Sequence, residues 1–162
     1  MVDSDNSALS EGERALFEAF NELGVRYLIV GLSAALVQGA RVSTEDIDLW
    51  FGELGDPKIG QAAARAGGVW VTRSQRPLLG GASMSDRLDV VTHMDGLASF
   101  DEEYLGAKRV RIDGVDVLVL PLERIIESKR VANRAKDRSV LFALEEALAV
   151  GAALARALDP DE

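Results

Sequence analysis

Two carboxylates stand one residue apart where an apolar run begins, in Thr44-Glu45-Asp46-Ile47-Asp48-Leu49-Trp50-Phe51. As a β-strand this run repeats every two residues, which puts Asp46 and Asp48 on one face. Neighbouring carboxylates repel and raise each other's pKa unless a cation lies between them. The pair therefore suits a hard divalent ion with oxygen ligands, Mg²⁺ first among them. Spacing alone carries little weight, since Asp3/Asp5 and Asp159/Asp161 repeat it. The residues around the pair decide what it means.

The 162 residues are enough for one domain with a substantial core, read as a single unit over 1–162. The polar ends, about 1–9 and 159–162, read as loosely structured. A net charge of −9 argues against a general nucleic-acid coat or an anionic membrane as partner, while leaving room for a local basic site. The absence of cysteine removes disulfides and thiolate metal sites and fits a reducing cytoplasm. The single histidine, His93, cannot build a multi-histidine zinc centre and reads as a strand-end or surface residue. No signal peptide is visible, and the apolar stretch Tyr27 to Ala40 is too short to span a bilayer. These features describe a soluble cytoplasmic protein.

Local signals divide the chain. Ser10-Glu11-Gly12-Glu13 forms a capping-box pattern ahead of Leu16, Phe17, Phe20 and Leu23 at helical spacing, and Gly24 supplies a stop. Arg26 to Val30 reads as a buried strand, Ala34 to Gln38 as a short helix and Ile47 to Phe51 as the next strand. Pro57 opens a helix that Gly67-Gly68 ends. Val69 to Val71 and Leu88 to Val91 are short strands separated by a loop or irregular edge strand over Thr72 to Asp86. Gly96 to Leu105 reads as a short helix or turn, and Asp113-Gly114 is a two-residue hairpin signal between two apolar runs. Pro121 opens a helical region to Arg134, and a longer helix runs from about Lys136 to Leu158 with a stripe of Leu141, Leu144 and Leu148. The order predicts an α+β fold: a mixed sheet over about 10–119, with C-terminal helices over about 121–158 packed against it.

Three features join the acidic pair. Asp89 lies within the apolar strand Leu88 to Val91, and burial there requires a partner. It completes a three-carboxylate site if its strand lies beside Ile47 to Phe51; otherwise it pairs with Arg87 or an arginine of the 73–76 loop. The turn Gly31-Leu32-Ser33 joins a strand to a helix, a place where backbone N–H groups meet phosphate oxygens, or where Ser33 simply caps the helix. The segment Arg124 to Arg138 reverses the local charge, with Arg124, Lys129, Arg130, Arg134, Lys136 and Arg138 against Glu127 and Asp137. On a continuous helix Lys129, Asn133 and Lys136 share one face, either solvated or aimed at phosphates.

Together these residues resemble the nucleotidyltransferase superfamily with the DNA polymerase β-like core, in particular the small bacterial group of abortive-infection toxin-type nucleotidyltransferases. The likeness runs from about Arg26 to Leu148. Its carriers are Tyr27 to Gly31, Gly39 to Arg41, Thr44 to Trp50, Asp89, and Leu120 to Glu123 leading into Glu127-Ser128-Lys129-Arg130-Val131-Ala132-Asn133-Arg134-Ala135-Lys136-Asp137. The resemblance implies transfer of a nucleoside monophosphate from a nucleoside triphosphate to a hydroxyl of an acceptor, whether protein, RNA or small molecule. It implies two Mg²⁺ ions, or Mn²⁺, on Asp46, Asp48 and Asp89 in the usual two-metal arrangement for in-line displacement. It also implies Gly31 and Ser33 at the phosphates, with Lys129 as the triphosphate contact, Arg134 and Lys136 in support, and Asp137 orienting one of them. A retained but inactive nucleotide- or partner-binding module, one half of a toxin–antitoxin pair, is the second reading. The resemblance departs at Leu32, where the family carries a small residue, and at Val42, where it carries the arginine found here at Arg41. An aspartyl-phosphate enzyme of the haloacid-dehalogenase type fits poorly, because Trp50 stands where that family has Thr or Val.

Overall fold

A computed structural model describes residues 8–72, 77–81 and 86–159. The first helix, α1 (Glu11–Leu23), starts at the predicted capping box: Ser10 accepts from the Glu13 N–H, and the Glu13 carboxylate accepts from the Ser10 N–H. Gly24 ends it in the left-handed conformation at φ 75°. The chain before it is tied down, since Leu9 is buried and its N–H donates to Asp113 at 2.9 Å.

Five strands form one mixed sheet. Strand β1 (Tyr27–Val30) is fully buried and central, antiparallel to β2 (Ile47–Phe51) and parallel to β7 (Val115–Val119). Beyond β2 lies β5 (Leu88–Val91), parallel to it, and beyond β7 lies β6 (Lys108–Ile112), antiparallel. The order is β5-β2-β1-β7-β6. The β6–β7 turn uses Asp113 (φ 49°) and Gly114 (φ 83°), the left-handed pair that a two-residue hairpin requires. A central strand flanked on both sides accounts for the unbroken apolar run of Tyr27 to Val30.

The register sorts side chains between the faces. Tyr27, Ile29, Leu49 and Phe51 share the face covered by α1, where Phe17 and Phe20 pack on Tyr27 and Phe20 meets Phe51 edge-on at 5.6 Å. Helix α3 (Pro57–Arg65) lies beside α1 and is capped by Asp56, whose carboxylate accepts from the Lys58 N–H. The opposite face carries Asp48 and Trp50, the latter against Phe100 of α4 (Phe100–Leu105). Helix α5 (Leu122–Ala132) adds Leu122, Ile125 and Ile126 to the core, and α6 (Ala135–Leu158) packs mainly on α5.

Several details differ from expectation. Helix α2 (Gly31–Val37) begins at Gly31 itself, not at Ala34, with Val30 in the capping position. Within the expected loop, β4 (Leu78–Gly80) pairs with β3 (Val69–Val71) as a separate two-stranded ribbon; the rest of that loop, 73–76 and 82–85, lies outside the described residues. The helical region after Pro121 is not continuous. Asn133 takes a left-handed φ of 50° and breaks α5 from α6. In the expected stripe of α6, Leu144 is buried, while Leu148 is already exposed. Among the described residues no helix is long and apolar enough to cross a membrane.

Candidate active site

The strand-pair register brings two of the candidate carboxylates together. Asp48 and Asp89 are direct partners across the parallel β2–β5 pair, so their side chains leave the same face at the same level. Gly31, at the end of β1, closes the third side. Its φ is 64°, and a β-carbon there would lie 2.6 Å from Oδ2 of Asp48. Only glycine lets the backbone pass beneath that carboxylate.

These residues open onto a cleft of about 350 Å³ whose other wall is the α5–α6 junction, with Ser128, Lys129, Ala132, Arg134 and Lys136. One wall is thus anionic and the other cationic. Burial first, then the neighbouring Asp89 and Asp46 charges, push the Asp48 carboxyl up to about 6, against the opposing pull of Lys129 and Lys136. A divalent cation would relieve that repulsion, and carboxylate oxygens are the donor type Mg²⁺ takes. Asp46 is the exception to convergence. It is exposed and lines a separate small pocket of about 80 Å³ with Ser33, Leu36, Ile47 and Arg87. Its backbone N–H is held by Thr44 Oγ1 at 3.2 Å. Among the described residues no three carboxylate or imidazole side chains are close enough as they stand to enclose an ion, so a three-carboxylate site requires the Asp46 side chain to swing inward.

Asp137 organises the cationic wall. It is fully buried, and its carboxylate accepts from Lys129 Nζ at 3.2 Å, from Arg134 Nε at 2.7 Å and from the Arg134 backbone N–H at 3.0 Å. Burial pulls its pKa upward, but the hydrogen bonds from Arg134 and Lys129 win and hold it at about 2. Asp137 therefore orients two cations where the sequence suggested one. Lys136 reaches the cleft without an ion pair among the described residues. The other basic residues of the segment face elsewhere: Arg124 binds Glu103 through two bonds of 2.9 and 2.8 Å, Arg130 pairs with Glu145, and Arg138 donates to the Asn133 carbonyl.

Ser33 departs from its expected place. Its hydroxyl is buried, donates to the Val30 carbonyl at 2.9 Å and accepts from the Asp48 N–H at 3.1 Å. It neither caps α2 nor lines the cleft; it pins the start of β2 to the turn. Nor does Arg87 pair with Asp89. Arg87 instead binds the buried Glu13 of α1, with Nε at 2.9 Å and Nη2 at 2.6 Å from its two carboxylate oxygens. The sequence reading missed the cleft's lip, formed by His93, Met94 and Asp95 just past β5, where His93 Nε2 lies 3.2 Å from Asp95. The one signal for it was position: a chain leaving β5 after Asp89 continues along the same end of the sheet.

No family description matches the sequence, and no curated protein is similar to it. Solved structures do resemble it. The antibiotic-resistance factor ANT(2″)-Ia in complex with adenylyl-2″-tobramycin superposes at a TM-score of 0.53 with 18% identity, covering 89% of this chain and 92% of that one. The solution structure of ANT(2″)-Ia gives 0.52 and 18%, covering 91% and 92%. An antigenic nucleotidyltransferase-like protein from Paracoccidioides brasiliensis gives 0.52 and 16%, covering 95% and 92%. With its five-stranded mixed sheet flanked by helices, this chain shares its overall fold with these nucleotidyltransferase structures.

Proposed function

We propose that the protein transfers a nucleoside monophosphate from a nucleoside triphosphate to a hydroxyl of an acceptor, with Mg²⁺ or Mn²⁺. The observation that carries this reading is the pairing of Asp48 with Asp89 directly across a cleft from Lys129, Arg134 and Lys136. Such a cleft matches the charge of a metal-bound triphosphate, with carboxylates for the cations and cations for the phosphates.

Asp46, Asp48 and Asp89 would hold the metal, two ions in the full arrangement. Bound metal supplies charge neutralisation at the reacting phosphate and lowers the cost of the departing pyrophosphate. The chain's own residues do the rest. Lys129, fixed by Asp137, and Lys136 bind and orient the phosphates. The Gly31 backbone permits close approach beside Asp48. Asp89, exposed beside Asp48, would complete the metal site at which an incoming hydroxyl loses its proton. His93, Met94 and Asp95 line the same cleft, and an acceptor would meet them beside Asp89. The tobramycin adduct of ANT(2″)-Ia makes hydroxyl-bearing small molecules the first acceptors to try, alongside protein and RNA.

Asp46, turned toward its own pocket, favours a second reading: a weakly active or inactive module that binds a nucleotide or a partner protein, as in a toxin–antitoxin pair. One experiment separates the two. Each labelled nucleoside triphosphate is incubated with Mg²⁺ and lysate, tRNA or aminoglycoside acceptors. Label transfer that disappears in the Asp46→Asn, Asp48→Asn double variant supports the enzyme. Absence of transfer for every acceptor, together with Mg²⁺-dependent triphosphate binding by calorimetry, supports the module. Absence of both removes the nucleotide from the reading altogether.

A further inference from the structure

Five polar or charged side chains are buried among the described residues, and four of them have partners. Glu13 holds Arg87, Ser33 bridges Val30 and Asp48, Glu103 holds Arg124, and Asp137 holds Lys129 and Arg134. The fifth is Ser128 of α5, which is 8% exposed. Among the described residues its hydroxyl makes no hydrogen bond, and its oxygen is not sealed from the cleft that it lines. A buried hydroxyl ordinarily has a partner. Inside a helix the nearest is a carbonyl one turn back. Ser33 and Ser139 take that option, donating to the Val30 and Lys136 carbonyls. Ser128 does not, so its hydroxyl is aimed into the cleft.

We infer that the Ser128 hydroxyl donates a hydrogen bond to a phosphate oxygen of the bound triphosphate, a contact that rests on the nucleotide reading above. Ile125, Ser128, Lys129 and Ala132 all line the cleft, so one face of α5 forms this wall. Exposure rises along that face, from Ile125 at 1% and Ser128 at 8% to the Lys129 side chain at 19%. Ser128 therefore lies deeper than the lysine. Val30 and Gly31 line the same cleft, and α2, which Gly31 begins, packs on α5. Lys129, the next residue, pulls the Asp48 pKa down, so the lysine and the carboxylate face the same space. A ligand that reaches Ser128 meets the cation and the Asp48–Asp89 pair together, which a metal-bound phosphate satisfies and a neutral sugar does not. A hydroxyl adds a donor there without adding charge.

Calorimetry on the full chain tests this by comparing the wild type with Ser128→Ala. The probes are Mn²⁺ alone, inorganic tripolyphosphate with Mg²⁺, and each of ATP, GTP, CTP and UTP with Mg²⁺. The expected result is unchanged Mn²⁺ affinity, with tripolyphosphate and nucleotide both weakened about tenfold or more, as for the loss of one hydrogen bond to a charged acceptor. The ligand-free melting temperature should stay level or rise, because no hydrogen bond among the described residues is lost and alanine is the better helix former. A variant that binds tripolyphosphate as well as the wild type does overturns the inference; if it loses only the nucleotides, the hydroxyl serves the sugar or base instead. Weaker Mn²⁺ binding overturns it in favour of a metal ligand. A lower ligand-free melting temperature marks a structural hydroxyl and overturns it too. A wild type that binds none of the phosphate probes is a different failure, which removes the nucleotide reading and this contact with it.

Discussion

Oδ2 of Asp48 occupies the space that a side chain on Gly31 would need, 2.6 Å from the β-carbon such a residue would carry. The turn and the carboxylate are therefore one unit. Gly31→Ala must both displace Asp48 and hold alanine at a φ of 64°, at about 1–2 kcal/mol for the left-handed backbone alone. The expected outcome in urea unfolding is a loss of at least that size. Calorimetry with Mg²⁺ and triphosphate should show affinity reduced tenfold or more. Unchanged stability and affinity would show that Asp48 has free space elsewhere.

Ser33→Ala tests a different role. The substitution leaves the Asp48 N–H and the Val30 carbonyl without their hydroxyl partner, a loss of about 1–3 kcal/mol. The structure predicts that unfolding experiments register the change more than phosphate affinity does. The reverse pattern, affinity lost and stability kept, would mean that the hydroxyl turns to the phosphates.

Asp48→Asn should stabilise the protein in the absence of divalent ions. The folded-state pKa of Asp48 is raised to about 6 from 3.8, so the charged form is disfavoured in the fold. A raised pKa adds stability at low pH that is lost as pH rises through 6. Removing the titration should therefore raise stability at pH 7.5 by on the order of 2 kcal/mol, with the gain vanishing near pH 4. Thermal melts at the two pH values, with EDTA present, measure the difference. The same variant should abolish label transfer.

The sign reverses for Asp137. Its folded pKa lies near 2, below the ordinary 3.8, so its contribution is present above pH 4 and fades as pH falls toward 2. Asp137→Ala should cost about 2–3 kcal/mol at neutral pH through the lost bonds to Lys129 and Arg134. The gap between variant and wild type should narrow in acid, as followed by urea titrations at pH 7 and pH 3. A gap of constant size would mean that packing, not charge, is what the carboxylate contributes.

Local chemistry was legible in the sequence, and distant pairing was less so. The Ser10–Glu13 box, the Gly24 stop and the Asp113-Gly114 turn all appear as read, because each depends on neighbours within four residues. The pairing of Asp48 with Asp89 followed from an assumed strand adjacency that the sheet does contain. The partner of Arg87 could not be read locally: Glu13 is far away in sequence and lies on a helix packed against the other face. Ser33 does not cap α2, because the helix starts at Gly31 instead of Ala34 and its hydroxyl bonds the Val30 carbonyl. Lys129 and Lys136 do reach one cleft, but across the left-handed break at Asn133 rather than along one helix face.

The parallel pairing of β2 with β5 makes the distance between Asp48 and Asp89 a property of backbone hydrogen bonds rather than of the long excursion between them. Residues may be inserted or deleted within the α3 and β3–β4 excursion without moving either carboxylate, provided the two strands still meet in register. A single residue added inside Ile47–Phe51 or Leu88–Val91 does the opposite. It sends one carboxylate through the sheet to the side packed by α1, where Phe17 and Phe20 offer it no partner. The chain can thus diverge widely between its two acidic strands, yet it tolerates no length change within them.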